Sequence, residues 1–480
     1  MISLKSMITA DTLNTHKQTR GRLISITLIV FAVCIKVFTF RFGVLDELWE
    51  YDFCRAITMG YVPYKDFPFV SMPLFYYLFA IPLIISRTLF AFRVMTFVML
   101  ALTMVLIYDT MEKESSSGIA LCITLFGVRF VEMSSYNMLM MLFALLCFRL
   151  LKKEDSNRTH FLLGLCAAAA VLTKQTSGGL LLIAVTGIII YRKIRKHTGI
   201  LRYIAGVSIP CLLFLIYLLA TSSFTPFLEY CFFGLFGFAG NKAFYPDGTL
   251  ILIVMITAGL ICDIFFAVRL KDRDAVFHLL TGIAVLSNSI PIADAFHLVI
   301  AAVFFLIPAA KMIKRYASGL ISFNLTFVIA PMILAIILIL ESDVFINPGF
   351  SDNSPELVLI PSSDQTDYYM PLYTRNKEYE SEGKKVTVLS TSAVIFSILD
   401  GTFNPPFDVF NNGNFGRQDP VIYVERACSS SDTVILMPDD YITENRQNPG
   451  GIYEYITSHC TPVSSMGEWV WYTPNTAQED

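Results

Sequence analysis

The sequence is short of charge. Only 16% of its 480 residues are Asp, Glu, Lys or Arg, against about 25% in a soluble globular domain. It has no excess of one sign either: 36 basic residues face 39 acidic ones, for a formal net charge of -3. That balance excludes a basic nucleic-acid-binding face and a highly charged disordered chain, so no nucleic acid is expected as a partner. The ten cysteines include no CxxC pair and no Cys/His ligand spacing, which removes zinc-type sites and a disulfide-dense scaffold. Most of them, such as Cys122, Cys147 and Cys262, sit in apolar runs, where cysteine acts as a small hydrophobe. What the chain has in abundance is apolar surface: 55% hydrophobic and 14% aromatic residues, with a mean hydropathy of +0.59.

A helix crossing the hydrocarbon core needs about 20 apolar residues. Eleven stretches are candidates, at 23–40, 92–108, 118–135, 137–151, 160–173, 178–191, 203–220, 249–268, 276–290, 297–310 and 320–340. If they alternate across a bilayer, the basic clusters all fall on one side. These are Lys17 to Arg22, Lys152 to Arg158, Arg192 to Lys196, Arg269 to Arg273 and Lys311 to Arg315. The positive-inside rule then places the N-terminus in the cytoplasm and the tail outside. No A-x-A-like cleavage site follows the first run, which reads as a signal anchor. The expected fold is a polytopic α-helical membrane protein with about 11 spans, N-in and C-out, residing in the cell membrane. Its expected parts are a cytoplasmic tail at 1–22, a membrane domain at 23–340 and a small extracytoplasmic α/β domain at 341–480. Strands are expected at 385–389, 433–437 and 468–472, and helices at 391–400 and 451–459. Cys428 and Cys460 fall in that domain, as a disulfide or as two thiols.

The first external loop, 41–91, is far longer than a connection between two spans requires. Leu45, Trp49, Phe53 and Ala56 recur at helical spacing, and Asp46, Glu47 and Glu50 lie off that stripe. This predicts a helix over 46–58, stopped near Gly60. Its apolar stripe would face lipid or neighbouring helices, and its carboxylates a water-filled cavity. A second, partly embedded helix is predicted over 72–86. An Asp-Glu pair at membrane depth can serve as general base, bind a divalent cation or simply solvate a loop. The residues alone do not choose among these.

The order of motifs adds to this reading. Asp46-Glu47, then Gly60-Tyr61-Val62-Pro63-Tyr64-Lys65-Asp66-Phe67, then Met72-Pro73-Leu74, resembles the first external loop of GT-C glycosyltransferases. The likeness is to the bacterial protein O-mannosyltransferase and aminoarabinose-transferase branch. Gly164-Leu165 leading to Leu172-Thr173-Lys174-Gln175 is similar to that family's segment ending in a Thr-Lys pair. Pro291-Ile292-Ala293-Asp294-Ala295-Phe296-His297 resembles its late external segment with Asp and His three residues apart.

The resemblance implies transfer of a sugar from a polyprenyl-phosphate carrier to an extracytoplasmic acceptor, which is a protein, a cell-wall polymer or a lipid-linked glycan. Asp46 would be the base, or would orient the acceptor hydroxyl, and Glu47 would assist. Lys174, with Arg93 and Arg87, would stabilise the leaving phosphate. Asp294 and His297 would contribute a metal ligand or an acid/base pair, and Asp66 would bind substrate or brace the loop. A divalent metal is left open. The sequence departs from the family at Ser135-Tyr136-Asn137, where relatives often carry an acid, and at Phe69-Val70-Ser71, where some carry a metal-binding Glu. Rival readings are a transporter or flippase of lipid-linked glycans and a non-catalytic envelope assembly protein. The first often shows internal repeats or broken spans, and the sequence shows no repeat.

Overall fold

The computed structural model describes residues 4–39, 45–131, 135–196, 200–235, 243–244, 249–290, 292–316, 329–340, 364–409, 415–439 and 451–475. Nine helices come first: α1 Leu4–Thr39, α2 Leu45–Thr58, α3 Leu74–Leu83, α4 Leu89–Glu114, α5 Ser117–Phe130, α6 Tyr136–Leu151, α7 Asn157–Thr173, α8 Gln175–Lys196 and α9 Ile200–Ala220. Later long helices are Thr249–Arg269, Arg273–Leu286, Ala295–Tyr316 and Ala330–Leu340. Among the described residues, six helices are long and apolar enough to cross a membrane. They are Thr19–Phe38, Leu89–Glu114, Gln175–Arg192, Ile200–Ala220, Thr249–Arg269 and Ala295–Tyr316. The other predicted runs also fall on helices, but shorter ones such as Ser117–Phe130 and Tyr136–Leu151. The run predicted over 320–340 is helical from Ala330, and 317–328 lies outside the described residues.

The chain divides into two compact units. The first comprises 1–40, 95–210 and 243–346. In it α7 packs on α6 and α8, α1 packs on α5, and the helix Thr249–Arg269 packs on Ala295–Tyr316. Gly164 of α7 and Gly206 of α9 allow two backbones to meet. A Cβ on Gly164 would lie 2.3 Å from the Tyr203 carbonyl oxygen, and one on Gly206 would lie 2.2 Å from that of Phe161. Helices approach this closely only through small residues. Two short strands, β1 Ala243–Phe244 and β2 Ile292–Ala293, pair in parallel.

The second unit comprises 41–94, 211–242 and 347–480. It contains a four-stranded sheet in the order β3-β4-β6-β5, from Lys385–Val388, Thr433–Pro438, Trp469–Pro474 and Cys460–Met466. β3 and β4 are parallel, and the other two pairings are antiparallel. β4 is buried throughout, and its Val434 to Met437 run is unbroken apolar because both of its faces are covered. Val434 and Leu436 pack with Phe396, Trp469 and Trp471, whereas Ile435 and Met437 pack with Phe415, Val424 and Ile452. Side chains alternate across a strand, so two opposed cores require an unbroken hydrophobic run. The expected strands are present, joined by β5 and by helices Asp364–Ser381 and Val421–Cys428, which the sequence reading lacks. Helices Ala393–Asp400 and Ile452–His459 fall where expected. The Cys428 and Cys460 sulfurs stand 3.7 Å apart as thiols.

Candidate active site

α2 carries the candidate carboxylates. It starts at Leu45, ends at Thr58 and is followed by Gly60 at φ +97°, a conformation that suits glycine. Asp46 and Glu47 occupy its first turn, where the positive end of the helix dipole favours anions. Asp46 is exposed, and Glu47 is only 4% exposed. Arg93 of α4, 3% exposed, meets Glu47 in a fork: Nε to Oε1 and Nη2 to Oε2, both at 2.9 Å. A buried carboxylate demands such a partner, because desolvating an unpaired charge is costly.

The remaining acids of α2 correct an expectation. They do not face water: Glu50 and Asp52 are buried along with Glu47. Protein covers this side of the helix. Arg55, fully buried, bonds Asp52 Oδ1 through Nη2 at 2.6 Å and through Nε at 3.2 Å. Its Nη2 also donates to the carbonyls of Ser397 and Thr402. Nor does the apolar stripe meet only lipid or helices. Trp49 Nε1 donates to the Thr391 carbonyl at 3.1 Å, and Phe53 stacks on Phe67 and meets Phe69 and Tyr76 edge-on. The segment 391–408 thus closes over α2. Asp408 lies in it, accepting from Ser397 Oγ and from the Asn404 N–H at 2.7 Å. Burial pushes the Asp408 carboxyl up to about 6 against those hydrogen bonds. Burial, then the Asp408 charge, holds Asp52 well above the usual carboxylate range against the pull of Arg55.

The loop between α2 and α3 is braced from within. Asp66 Oδ2 accepts the Val62 N–H at 2.6 Å, a turn-closing contact. Tyr64 is buried at φ +71°, an outlier for a bulky side chain, and its hydroxyl donates to the Ser71 carbonyl at 2.8 Å. Arg87 is exposed and donates to the Thr58 carbonyl.

The other candidates belong to the first unit. Lys174 caps α7, and its Nζ donates to Asn137 Oδ1 at 2.7 Å and to the Asn288 carbonyl at 3.3 Å, above the Tyr136 ring. Asn137 therefore supplies Lys174 with a neutral acceptor. Asp294 Oδ1 accepts both the His297 backbone N–H at 2.9 Å and its Nδ1 at 2.7 Å, across the start of helix Ala295–Tyr316. Burial raises the Asp294 carboxyl, but the hydrogen bonds and charge of His297 outweigh it and leave it below the ordinary range.

The structure thus brings Glu47 to Arg93 and Asp294 to His297, while Asp66 serves its own loop. Sequence reasoning missed Lys36. It is 5% exposed near the end of α1 and donates to the carbonyls of Val128, Arg129 and Val131. A lysine inside an apolar span was the available signal. Among the described residues, no three His, Cys, Asp or Glu side chains converge to hold a metal ion.

No family model matches the sequence, and neither does any curated protein. A solved structure does share its architecture. ArnT from Cupriavidus metallidurans, crystallised with undecaprenyl phosphate, aligns over 96% of this chain and 99% of its own, with a TM-score of 0.59 and 10% identity. The chain has a GT-C fold. Two larger proteins align more loosely. For the Archaeoglobus fulgidus oligosaccharyltransferase the TM-score is 0.48 at 12% identity, over 95% of this chain and 75% of that one. For arabinosyltransferase EmbB from Mycobacterium smegmatis it is 0.47 at 12% identity, over 92% and 45%. The GT-C resemblance read from the loop motifs therefore has a counterpart in the fold, and the chain is a multi-pass membrane protein.

Proposed function

We propose that this protein is a GT-C-type glycosyltransferase that takes a hexosyl or pentosyl group from a polyprenyl-phosphate carrier and passes it to an acceptor outside the cytoplasm. The observation that carries the reading is the first turn of α2: an exposed Asp46 beside a Glu47 locked by buried Arg93. It stands in a chain that aligns end to end with a structure holding undecaprenyl phosphate.

Asp46 is the base, or the group that orients the acceptor hydroxyl. Glu47 fixes the turn that presents it, and Arg93 acts chiefly by holding Glu47. Lys174 offers the ammonium for the leaving phosphate, with Asp294 and His297 as a further substrate-binding pair and Asp66 shaping the loop. Glu47 assists Asp46 through a hydrogen bond or a divalent metal ion. The topology proposed with this function is eleven spans, N-in and C-out, in the cell membrane. Residues 1–22 form a cytoplasmic tail, 23–340 the catalytic membrane domain and 341–480 an extracytoplasmic domain. The acceptor is a protein, a cell-wall polymer or a lipid-linked glycan.

The test is release of polyprenyl phosphate by purified protein from a panel of lipid-linked sugars, with membrane extract as acceptor. Release from one donor supports transfer. No release from any, by folded protein, returns the weight to a transporter or a binding protein.

A further inference from the structure

A cavity lies within the second unit, remote in sequence from Asp46 and Glu47. It has a volume of about 650 Å³ and is built from helix Asp364–Ser381, strand β3, helix Ala393–Asp400 and the 402–408 segment. That volume falls in the range of small-ligand sites, about 300–1,000 Å³. Its lining is mixed in a particular way. Tyr373 and Phe407, both half-buried, and the buried Phe403 contribute aromatic rings to the wall. Lys377, Asp400 and Asn404 line it too.

The polar groups are oriented by one another. Asp400 Oδ1 accepts from Tyr373 O–H at 2.7 Å and pairs with Lys377, which also reaches Glu380 at 2.7 Å. Asn404 donates through Nδ2 to Ser397 Oγ at 2.9 Å. Three lysines, Lys377, Lys384 and Lys385, and three carboxylates, Glu380, Asp400 and Asp408, line the wall, so neither sign is in excess. No guanidinium fork is there to clamp a phosphate or other polyanion, which would meet those carboxylates along with the lysines. A purely apolar ligand would strip water from those same groups without replacing their hydrogen bonds. The ligand that fits is neutral, with hydroxyls around its edge and C–H faces for the aromatic rings. That describes a saccharide.

We infer that this cavity binds a neutral oligosaccharide of about two units. The function proposed above gives that ligand its meaning, as the glycan part of the acceptor. The inference deepens that reading and rests on it for the role, though not for the binding. The position supports the assignment. The wall residues Ser397 and Thr402 present their carbonyls to Arg55 of α2, so the binding wall and the helix bearing Asp46 are one hydrogen-bonded piece.

The experiment is calorimetric titration of the full chain in nanodiscs with mannobiose, cellobiose and chitobiose. At least one is expected to bind, with a dissociation constant on the order of a millimolar. Asp400→Asn and Asn404→Ala should each weaken it about ten-fold, while thermal unfolding stays unchanged. Asp46→Asn should bind the same disaccharide as wild type does. Absence of binding by all three disaccharides, or binding indifferent to both cavity variants, overturns the inference. If the disaccharide binds as expected but Asp46→Asn leaves polyprenyl phosphate release intact, the assignment of the chemistry to Asp46 fails and the saccharide site stands.

Discussion

Arg93 grips the Glu47 carboxylate through two hydrogen bonds, one to each oxygen, and the pair has almost no contact with solvent. Removing one member of a buried, hydrogen-bonded pair strands the other charge, at a cost of about 3–5 kcal/mol. Arg93→Ala should therefore lower the thermal midpoint strongly, and Arg93→Lys less. The double variant Arg93→Ala with Glu47→Gln should recover most of the loss, because no charge is left unpaired. Thermal unfolding of the four proteins in one detergent checks this. If Arg93→Ala is as stable as wild type, the pair does not hold the first turn of α2.

Asp52 and Asp408 make stability depend on pH. Both carboxyls are raised, Asp408 to about 6, so between pH 4 and 6 the folded protein holds protons that the unfolded chain has released. The stability contributed by Asp408 is therefore present below the unfolded carboxyl value and is lost as pH rises through about 6, and the raised Asp52 acts in the same direction. Asp408→Asn keeps an acceptor for Ser397 and removes its own titration, leaving that of Asp52. Its thermal midpoint should fall less than that of wild type between pH 4.5 and 7. Parallel curves for the two proteins would remove Asp408 from this role.

Much of the second unit is legible in the sequence, and the exceptions have physical causes. Thr433 to Met437 reads as a strand because burial on both faces demands its unbroken apolar run from Val434 to Met437. β5, Cys460–Met466, escapes because it is an edge strand, mostly exposed and containing Pro462. The helix Asp364–Ser381 is hidden by its polarity and by Pro371. In the site, the periodicity of 46–58 locates α2 and its stop at Gly60. It does not show that Glu47 meets Arg93 or that Arg55 meets Ser397, because those partners lie far along the chain. The expectation of solvated carboxylates therefore failed for Glu47 and Glu50, while Asp46 is exposed.

The close crossing of α7 and α9 gives a paired prediction. Gly164→Val places side-chain atoms where the Tyr203 carbonyl already lies, whereas a Cβ at Gly179 meets nothing within 4 Å. The Gly164 variant should lose most folded yield on size-exclusion chromatography, and Gly179→Val should elute like wild type. Equal behaviour of the two would contradict the backbone contact.

Cys428 and Cys460 are close enough for a bond after a small shift, since a disulfide needs sulfurs about 2.05 Å apart and these are at 3.7 Å. Mild oxidation of the purified protein should link the two peptides in a non-reducing digest. It should also raise the thermal midpoint, as closing a loop restricts the unfolded chain. Recovery of both peptides alkylated after oxidation would show that the thiols do not meet.

The central claim is that Asp46 carries the chemistry of sugar transfer. The direct measurement is single-turnover release of polyprenyl phosphate from the preferred donor by wild type and by Asp46→Asn, at saturating donor and acceptor. Loss of a positioned general base costs about 10²–10⁴-fold. The account predicts a fall of that size with donor binding preserved. A variant that releases polyprenyl phosphate as fast as wild type would contradict it.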